Sequence, residues 1–152
     1  MTAEDQGGEP IYRFLECTAG EYMTGNVITV PRHVTVRELE ALFATHDFNS
    51  FPVVENGKVL GIVTKFDFLR NFAFTTGQIL PRYSELMGRK VADVMTEAVV
   101  DVDPSTPLTR VLQLMLSMRG RSLPVVERGG RLVGMISRED IMRALGVATK
   151  PA

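Results

Sequence analysis

Two short stretches of this chain have the residue types that can hold an anion or a sugar hydroxyl at a strand-to-helix junction. The first is GIVTKFD, from Gly61 to Asp67, and the second is GMISRED, from Gly134 to Asp140. Both contain glycine, two apolar residues, a hydroxyl residue, a basic residue, a variable position and aspartate. A helix that begins at such a junction leaves its first backbone N–H groups without helical partners, and its dipole favours negative charge. Each stretch is therefore a candidate binding site.

The polar side chains of each stretch have distinct chemical roles. An ionised aspartate accepts hydrogen bonds through two oxygens, so Asp67 or Asp140 can accept both cis-hydroxyls of a ribose. The neighbouring hydroxyls can donate to a phosphate or ribose oxygen, and the basic side chains attract anions. These neighbours are Thr64 and Lys65 in the first stretch and Ser137 and Arg138 in the second. A hydroxyl residue three positions before aspartate is also an ordinary helix cap worth about 1 kcal/mol, and the two roles can coexist.

The two stretches belong to an internal repeat. AGEYMT before VITV in the first half recurs as VADVMT before VVDV in the second half. The offset is 72 residues between Met23 and Met95, and an inserted glycine makes it 73 between Asp67 and Asp140. A repeat of this length indicates two similar supersecondary units, neither of which can bury its apolar face alone.

Each repeat is predicted to run strand, helix, strand, strand, helix. The prediction uses β-branched runs, capping pairs and glycine-containing hairpin turns. In the first repeat the elements are a strand at 27–30, a helix at 36–46, a hairpin around Asn56-Gly57 and a helix at 64–72. In the second they are a strand at 99–102, a helix from Thr106 to before Gly120, a hairpin around 128–130 and a helix at 138–145. The stretch 71–90 between them is expected to extend the preceding helix or to cover an apolar surface with Phe72, Phe74, Ile79, Leu80 and Tyr83.

With these motifs in this order, the chain resembles a tandem pair of CBS domains, also called a Bateman module. A Met-Thr lead-in, Pro-Val-Val before a glycine hairpin, and Gly-apolar-apolar-[Ser/Thr]-x-x-Asp all occur twice within about residues 19–146. The resemblance implies an α+β fold of two β-α-β-β-α repeats, related by a pseudo-twofold axis and packed sheet to sheet with helices outside. The predicted parts are an N-terminal extension (1–18), repeat 1 (19–71), a linker (72–90), repeat 2 (91–146) and a C-terminal tail (147–152).

The same resemblance implies a function. Members of this family bind adenosine-containing ligands such as AMP, ADP, ATP or S-adenosylmethionine in clefts between the repeats, and the module regulates an enzyme or transporter. The aspartate of one repeat is expected to work with the first strand of the other repeat and with the strand edge before its proline. Applied to this sequence, the resemblance implies that Asp67 faces one set of residues and Asp140 another. The set for Asp67 is Val100, Arg121, Ser122 and Leu123, and the set for Asp140 is Ile28, Asn49, Ser50 and Phe51.

The two clefts are expected to differ in charge. Arg119 and Arg121 of the second repeat correspond to Asp47 and Asn49 of the first. If these arginines face Asp67, the Asp67 cleft is the more electropositive one and is preferred by phosphate-bearing ligands. The alternative reading is a module that dimerises or docks another protein without a ligand, and the resemblance itself implies a homodimer.

Composition argues against several other classes. A hydrophobic fraction of 45%, a charged fraction of 23% and a net charge of −1 are typical of a globular protein without a basic field for nucleic acid. The single cysteine excludes an intrachain disulfide. No apolar run approaches the roughly 18 residues of a membrane span, and the polar start lacks signal-peptide features, so a cytoplasmic protein is predicted. Because no nucleophile, acid–base pair or metal-ligand set stands at a recognisable spacing, we predict neither an enzyme nor a metal centre.

Overall fold

Each half of the chain folds around one antiparallel β-hairpin. The fold is taken from a computed structural model, which describes residues 10–97, 100–118 and 120–150. In the first hairpin, β1 (Ser50–Glu55) pairs with β2 (Lys58–Thr64); in the second, β3 (Ser122–Val126) pairs with β4 (Leu132–Ser137). Together with the helices, these two sheets confirm the predicted α+β class.

The described residues also form eight helices. Along the described chain they are α1 (Pro10–Leu15), α2 (Ala19–Tyr22), α3 (Val36–Thr45), α4 (Lys65–Arg70), α5 (Tyr83–Met87), α6 (Val91–Val94), α7 (Leu108–Met118) and α8 (Arg138–Ala148). The chain divides into two compact units. Unit 1 consists of Met1–Val27 and Val100–Ala152, and unit 2 consists of Ile28–Val99.

Each unit has its own apolar core. In unit 2 the buried side chains are Val30, Val34, Leu39, Phe51, Val53, Val63 and Val91. In unit 1 they include Phe14, Val102, Leu108, Val111, Leu123, Val125, Ile136, Ile141 and Ala144. The hairpins contribute to these cores with one face, and the three longest helices, α3, α7 and α8, contribute buried apolar side chains.

The hairpin turns follow the predicted residue chemistry. Asn56 and Gly57 have φ values of 53° and 78°, as a two-residue turn with left-handed backbone requires. In the second hairpin two glycines, Gly129 and Gly130, have φ values of 90° and 86°. Glycine adopts this backbone without a steric penalty, which explains why the inserted residue of the second repeat is a glycine.

The predicted first strands at 27–30 and 99–102 are shorter than expected. Each pairs with the hairpin of its own unit through a single parallel bridge, made by Val30 in one unit and by Val102 in the other. Val99, within the second predicted strand, lies outside the described residues.

The helices differ from their predictions mainly at their ends. The helix predicted at 36–46 is α3, and its cap is confirmed because the Thr35 hydroxyl accepts from the Glu38 N–H at 3.2 Å. The helix predicted at 64–72 ends earlier, at Arg70. The side-chain Nδ2 of Asn71 donates to the carbonyl oxygens of Asp67 and Phe68, at 3.3 and 3.0 Å. These bonds satisfy two carbonyl groups at the end of the helix.

The stretch 71–90 neither extends α4 nor buries most of its apolar side chains. It forms the short helix α5, from which Leu86 and Met87 are buried. Ile79 is 93% exposed, and Phe74, Leu80 and Tyr83 are exposed as well. The expectation that the stretch covers an apolar surface is therefore wrong for these four side chains, whereas Phe72 is half-buried, with its ring centre 5.5 Å from that of Phe68.

The lead-in before each first strand packs on the hairpin of the other sequence repeat. Thr24 exchanges two backbone hydrogen bonds with Met135, of 2.8 and 3.0 Å, and Thr96 exchanges two with Ile62, of 3.0 and 2.9 Å. This places residues 19–24 in unit 1 and residues 91–96 in unit 2. The compact units therefore divide the chain differently from the sequence repeats.

The glycine of each motif makes this crossing possible. A Cβ on Gly61 would lie 2.5 Å from the Thr96 carbonyl oxygen, and one on Gly134 would lie 2.6 Å from the Met23 sulfur. Real Cβ contacts are not that short, so any side chain would push the lead-in away from the hairpin. This close approach explains why glycine opens both GIVTKFD and GMISRED.

Candidate functional site

In unit 1, Asp140 closes a capping box at the start of α8. The Ser137 N–H donates to Asp140 Oδ2 at 2.9 Å, and the Asp140 N–H donates to the Ser137 hydroxyl oxygen at 3.2 Å. Asp140 is only 4% exposed. The cap that the sequence predicts is thus confirmed, and it occupies one of the two carboxylate oxygens.

The second oxygen of Asp140 contacts an arginine on the next turn of the same helix. Arg143 Nη1 lies 3.1 Å from Asp140 Oδ1, and its Nη2 donates to the Tyr22 carbonyl oxygen at 2.8 Å. The guanidinium carbon lies 6.0 Å from the centre of the Tyr22 ring. The buried carboxylate is therefore charge-compensated, which is what burial of an ionised group requires.

Asp67 in unit 2 has the same arrangement at the start of α4. The Thr64 N–H donates to Asp67 Oδ2 at 2.9 Å, and the Asp67 N–H donates to the Thr64 hydroxyl oxygen at 3.0 Å. Arg70 Nη2 is 2.5 Å from Asp67 Oδ1, and the Thr96 hydroxyl lies 3.5 Å from the same oxygen. Asp67 is also 4% exposed. Arg70 additionally stacks over the ring of Phe66, at 5.7 Å.

Each motif also lies next to the strand edge before the proline of its own hairpin. In unit 1, Ser122 pairs with Ser137, and the Arg138 N–H donates to the Arg121 carbonyl at 3.1 Å.

The same contacts recur in unit 2. Ser50 pairs with Thr64, and the Lys65 N–H donates to the Asn49 carbonyl at 3.0 Å. In each unit, the polar residues of the strand edge therefore contact the helix start of the same unit.

These contacts correct one expectation about the helix starts. In unit 1 the N–H groups of Ser137, Arg138 and Asp140 all have partners, because the capping box and the strand edge use them. The corresponding three N–H groups of unit 2 are used in the same way. These N–H groups are therefore not available to bind a phosphate.

The remaining predicted site residues differ in how far their side chains are accessible to a ligand. Phe51 and Leu123 are each 1% exposed, so their side chains belong to the cores of their units. Ile28 is half-buried against the core of unit 2, and Val100 is exposed. Arg119 lies outside the described residues. The predicted pairings across the two repeats join residues of different units and stay predictions.

Sequence reasoning missed the two arginines that neutralise the aspartates. Both stretches continue as Asp-x-x-Arg, from Asp67 to Arg70 and from Asp140 to Arg143. Side chains three positions apart lie on the same helix face, so this spacing was a usable signal. The contact from Arg143 to Tyr22 joins residues that are 121 positions apart and leaves no local trace in the sequence.

Three further possibilities are a metal site, a membrane-spanning helix and a reactive thiol. No group of three or more His, Cys, Asp or Glu residues in residues 10–97, 100–118 and 120–150 could hold a metal ion. No helix among those residues has the length and apolarity needed to cross a membrane. Burial, reinforced by the charge of Glu21, raises the pKa of the Cys17 thiol, which opposes nucleophilic reactivity.

Comparison with known proteins identifies the family. The model of the CBS domain matches twice, at residues 19–73 and 91–147. The chain belongs to the CBS domain family. It is 35% identical over 133 residues to an uncharacterized protein of Methanocaldococcus jannaschii, covering 86% of this chain and 45% of that protein. It is 31% identical over 149 residues to the chloroplastic CBS domain-containing protein CBSX1 of Arabidopsis thaliana, covering 84% and 63%.

Solved structures agree with this assignment. The crystal structure of CBSX2 in complex with AMP superimposes with a TM-score of 0.75 and 26% sequence identity, covering 88% of this chain and 98% of that one. The chain nevertheless spans only 45% and 63% of the two relatives whose sequences it matches above. The match to the family and to its fold confirms the identification made from the repeated motifs.

Proposed function

We propose that this chain is a regulatory module that binds an adenosine-containing ligand at the start of α8, with AMP as the first ligand to test. The carrying observation is that a buried aspartate and a serine hydroxyl meet at the start of α8, where the backbones of Arg121 and Arg138 are hydrogen-bonded to each other. The ligand class comes from the family, and AMP is the ligand of the related CBSX2 structure. ADP, ATP and S-adenosylmethionine complete the ligand class that the family resemblance implies.

In this proposal the residues of unit 1 divide the ligand between them. Asp140 accepts the ribose hydroxyls through Oδ1, because Oδ2 is used by the cap. The Ser137 and Ser122 side chains, which stand opposite each other on paired strands, supply hydrogen bonds next to it. Arg121 and Arg138 are not buried and carry the positive charge that an AMP phosphate needs.

We further propose that phosphate-bearing ligands prefer Asp140 over Asp67, which reverses the expectation from the repeat alignment. That expectation grouped Arg121 with Asp67. Within unit 1, Arg121 is instead hydrogen-bonded through its carbonyl to Arg138, two residues before Asp140. In unit 2 the corresponding residues are Asn49 and Lys65. The start of α4 therefore has one positive charge at these two positions, whereas the start of α8 has two.

A second candidate function is a structural module that dimerises or docks another protein without a ligand. It is favoured by the occupation of both aspartates, since each carboxylate is already engaged in a cap and an ion pair. Large apolar side chains also lie exposed on the helices of both units, among them Phe66, Leu69, Leu116 and Met142. Such exposed side chains are suited to a homodimer interface.

The remaining parts of the proposal concern the setting of the module. We propose a homodimer in the cytoplasm that passes a ligand-dependent change to an enzyme or transporter and does not itself catalyse a reaction. The exposed apolar helix surfaces support the homodimer, and the membership in the CBS family supports the regulatory role.

Thermal unfolding in the presence of AMP, ADP, ATP, GTP and S-adenosylmethionine separates the two functions. A ligand that binds the native state stabilises it by about 2.7 kcal/mol at a concentration of 100 Kd. Asp140→Asn keeps an oxygen for the cap but removes the charge, so it should abolish most of the AMP-induced shift. It should also lower the free energy of unfolding by about 1 kcal/mol, because the partly exposed ion pair with Arg143 is lost. A chain whose melting temperature responds to none of these compounds would favour the structural function.

A further inference from the structure

Arg143 connects two parts of unit 1 that are far apart in sequence. Its Nη1 lies 3.1 Å from Asp140 Oδ1, and its Nη2 donates to the Tyr22 carbonyl oxygen at 2.8 Å. A guanidinium presents its donors in a rigid plane, so one arginine can hold two acceptors at fixed positions, whereas the single nitrogen of a lysine side chain cannot reproduce this fork. A displacement of one contact therefore disturbs the other.

Tyr22 is the last residue of α2 and lies within residues 10–24, called here the N-terminal segment. Phe14 of this segment is buried in the core of unit 1. At its other end, Thr24 pairs with Met135 of β4 through two backbone hydrogen bonds. Between these anchors, the carbonyl of Tyr22 is held by the side chain of Arg143.

The oxygen that Arg143 contacts is the one that a ligand needs. Asp140 Oδ2 accepts from the Ser137 N–H and stabilises the start of α8, so Oδ1 is the oxygen through which a ribose hydroxyl would be bound. The Asp140 side chain is 6% exposed, whereas the Arg143 side chain is 56% exposed. The arginine can therefore rotate toward solvent, and the carboxylate cannot leave its buried position without breaking the cap.

We propose that Arg143 is a positioning residue that couples ligand occupancy of Asp140 to the hold on the N-terminal segment. A hydroxyl that binds Oδ1 displaces Nη1, the guanidinium turns, and the hydrogen bond to the Tyr22 carbonyl is weakened. This inference rests on the proposed binding of an adenosine-containing ligand at Asp140, and it adds the route by which that binding reaches another part of the chain.

Unit 2 provides a matched control for this coupling. Arg70 contacts Asp67 with the same spacing, but its guanidinium stacks over Phe66, a residue of its own helix. Arg70→Lys therefore alters an equivalent ion pair while leaving the contact between Arg143 and Tyr22 in place.

Amide hydrogen exchange of the full chain, with and without AMP, tests the coupling in residues 19–24. The N–H groups of Met23 and Thr24 donate to Ala19 and Met135, so their exchange reports on this part of the segment. Saturating AMP should speed exchange there roughly three- to tenfold, the scale expected for losing a hydrogen bond from a partly exposed charged group. Arg143→Lys should show faster exchange without AMP and no further change with AMP. Arg70→Lys should respond to AMP as the unchanged chain does.

Isothermal titration of AMP on the same samples keeps the outcomes distinct. If AMP binds the unchanged chain without altering exchange in residues 19–24, or if Arg143→Lys keeps the full AMP response, the coupling is overturned and the proposed function stands. If the unchanged chain does not bind AMP at all, the coupling falls together with the AMP site on which it rests.

Discussion

The two helix starts are alike in their caps and differ in their neighbours. Asp67 and Asp140 are equally buried, each closes a capping box, and each forms an ion pair with an arginine three positions later. The arginine of unit 1 continues to the carbonyl of Tyr22, whereas the arginine of unit 2 stacks on its own helix. The repeated motif therefore determines how each helix begins, whereas residues outside the motif determine what the arginine paired with its aspartate contacts.

The largest difference between variants is expected at the motif glycines. Gly61→Ala would place a Cβ 2.5 Å from the Thr96 carbonyl oxygen, and Gly134→Ala would place one 2.6 Å from the Met23 sulfur and 2.8 Å from the Thr24 carbonyl oxygen. We expect each to lower the free energy of unfolding by about 2 to 3 kcal/mol, with Gly61→Ala the more severe because backbone is the nearest neighbour. Denaturant unfolding measures both values.

A third glycine is the control for this prediction. Gly146 lies within α8, and a Cβ added there would meet no atom within 4 Å, so Gly146→Ala should raise the free energy of unfolding by about 0.5 to 1 kcal/mol. Equal stabilities of the Gly61→Ala and Gly146→Ala variants would show that the lead-in does not cross the hairpin as described.

The caps should be equivalent in the two units. Thr64→Ala and Ser137→Ala each remove the hydroxyl that accepts the N–H of the buried aspartate, so each should cost about 1 kcal/mol of unfolding free energy. Ser117→Ala, on the exposed face of α7, should change stability by less than about 0.5 kcal/mol. A large inequality between Thr64→Ala and Ser137→Ala would contradict the view that the motif acts alike in both units.

The alkylation rate of the Cys17 thiol measures local opening of unit 1. Burial raises the pKa of this thiol, so the reactive thiolate is scarce at neutral pH and becomes more abundant as the pH rises through the raised pKa. Alkylation should therefore be at least about tenfold slower in the native chain than in urea, because reaction requires local opening. Gly134→Ala should speed alkylation more than Gly61→Ala does, since Gly134 packs against the lead-in that follows Cys17.

Equal rates for the two glycine variants, at matched stability, would mean that Cys17 becomes accessible through global unfolding and does not distinguish the units.

The sequence was sufficient wherever a few neighbouring residues decide the structure. The spacing of Ser137 and Asp140 predicts the cap, and Asn56-Gly57 predicts a turn with left-handed backbone, because both depend on contacts within four residues. The crossing at Gly134 and the hold of Arg143 on Tyr22 depend on chain segments more than 100 residues apart. Tertiary packing decides such contacts, and no local pattern records them.

The charge near each helix start also could not be assigned from the sequence. Aligning the repeats identifies Arg121 as a difference between them, but the alignment alone does not say which helix start that arginine accompanies. The hydrogen bond from the Arg138 N–H to the Arg121 carbonyl places it beside the start of α8. The proposed preference for Asp140 therefore depends on a backbone contact that was not visible in the sequence.

Titration of AMP into Asp140→Asn and Asp67→Asn is the most direct test of this account. Both variants keep an oxygen for the cap, and both lose the charge that the aspartate offers to the ribose and to its paired arginine. We expect Asp140→Asn to weaken AMP binding about ten- to a hundredfold, the range for losing a charged hydrogen bond, and Asp67→Asn to weaken it less than about threefold. The reverse result, with AMP binding lost in Asp67→Asn and retained in Asp140→Asn, would contradict the proposed site.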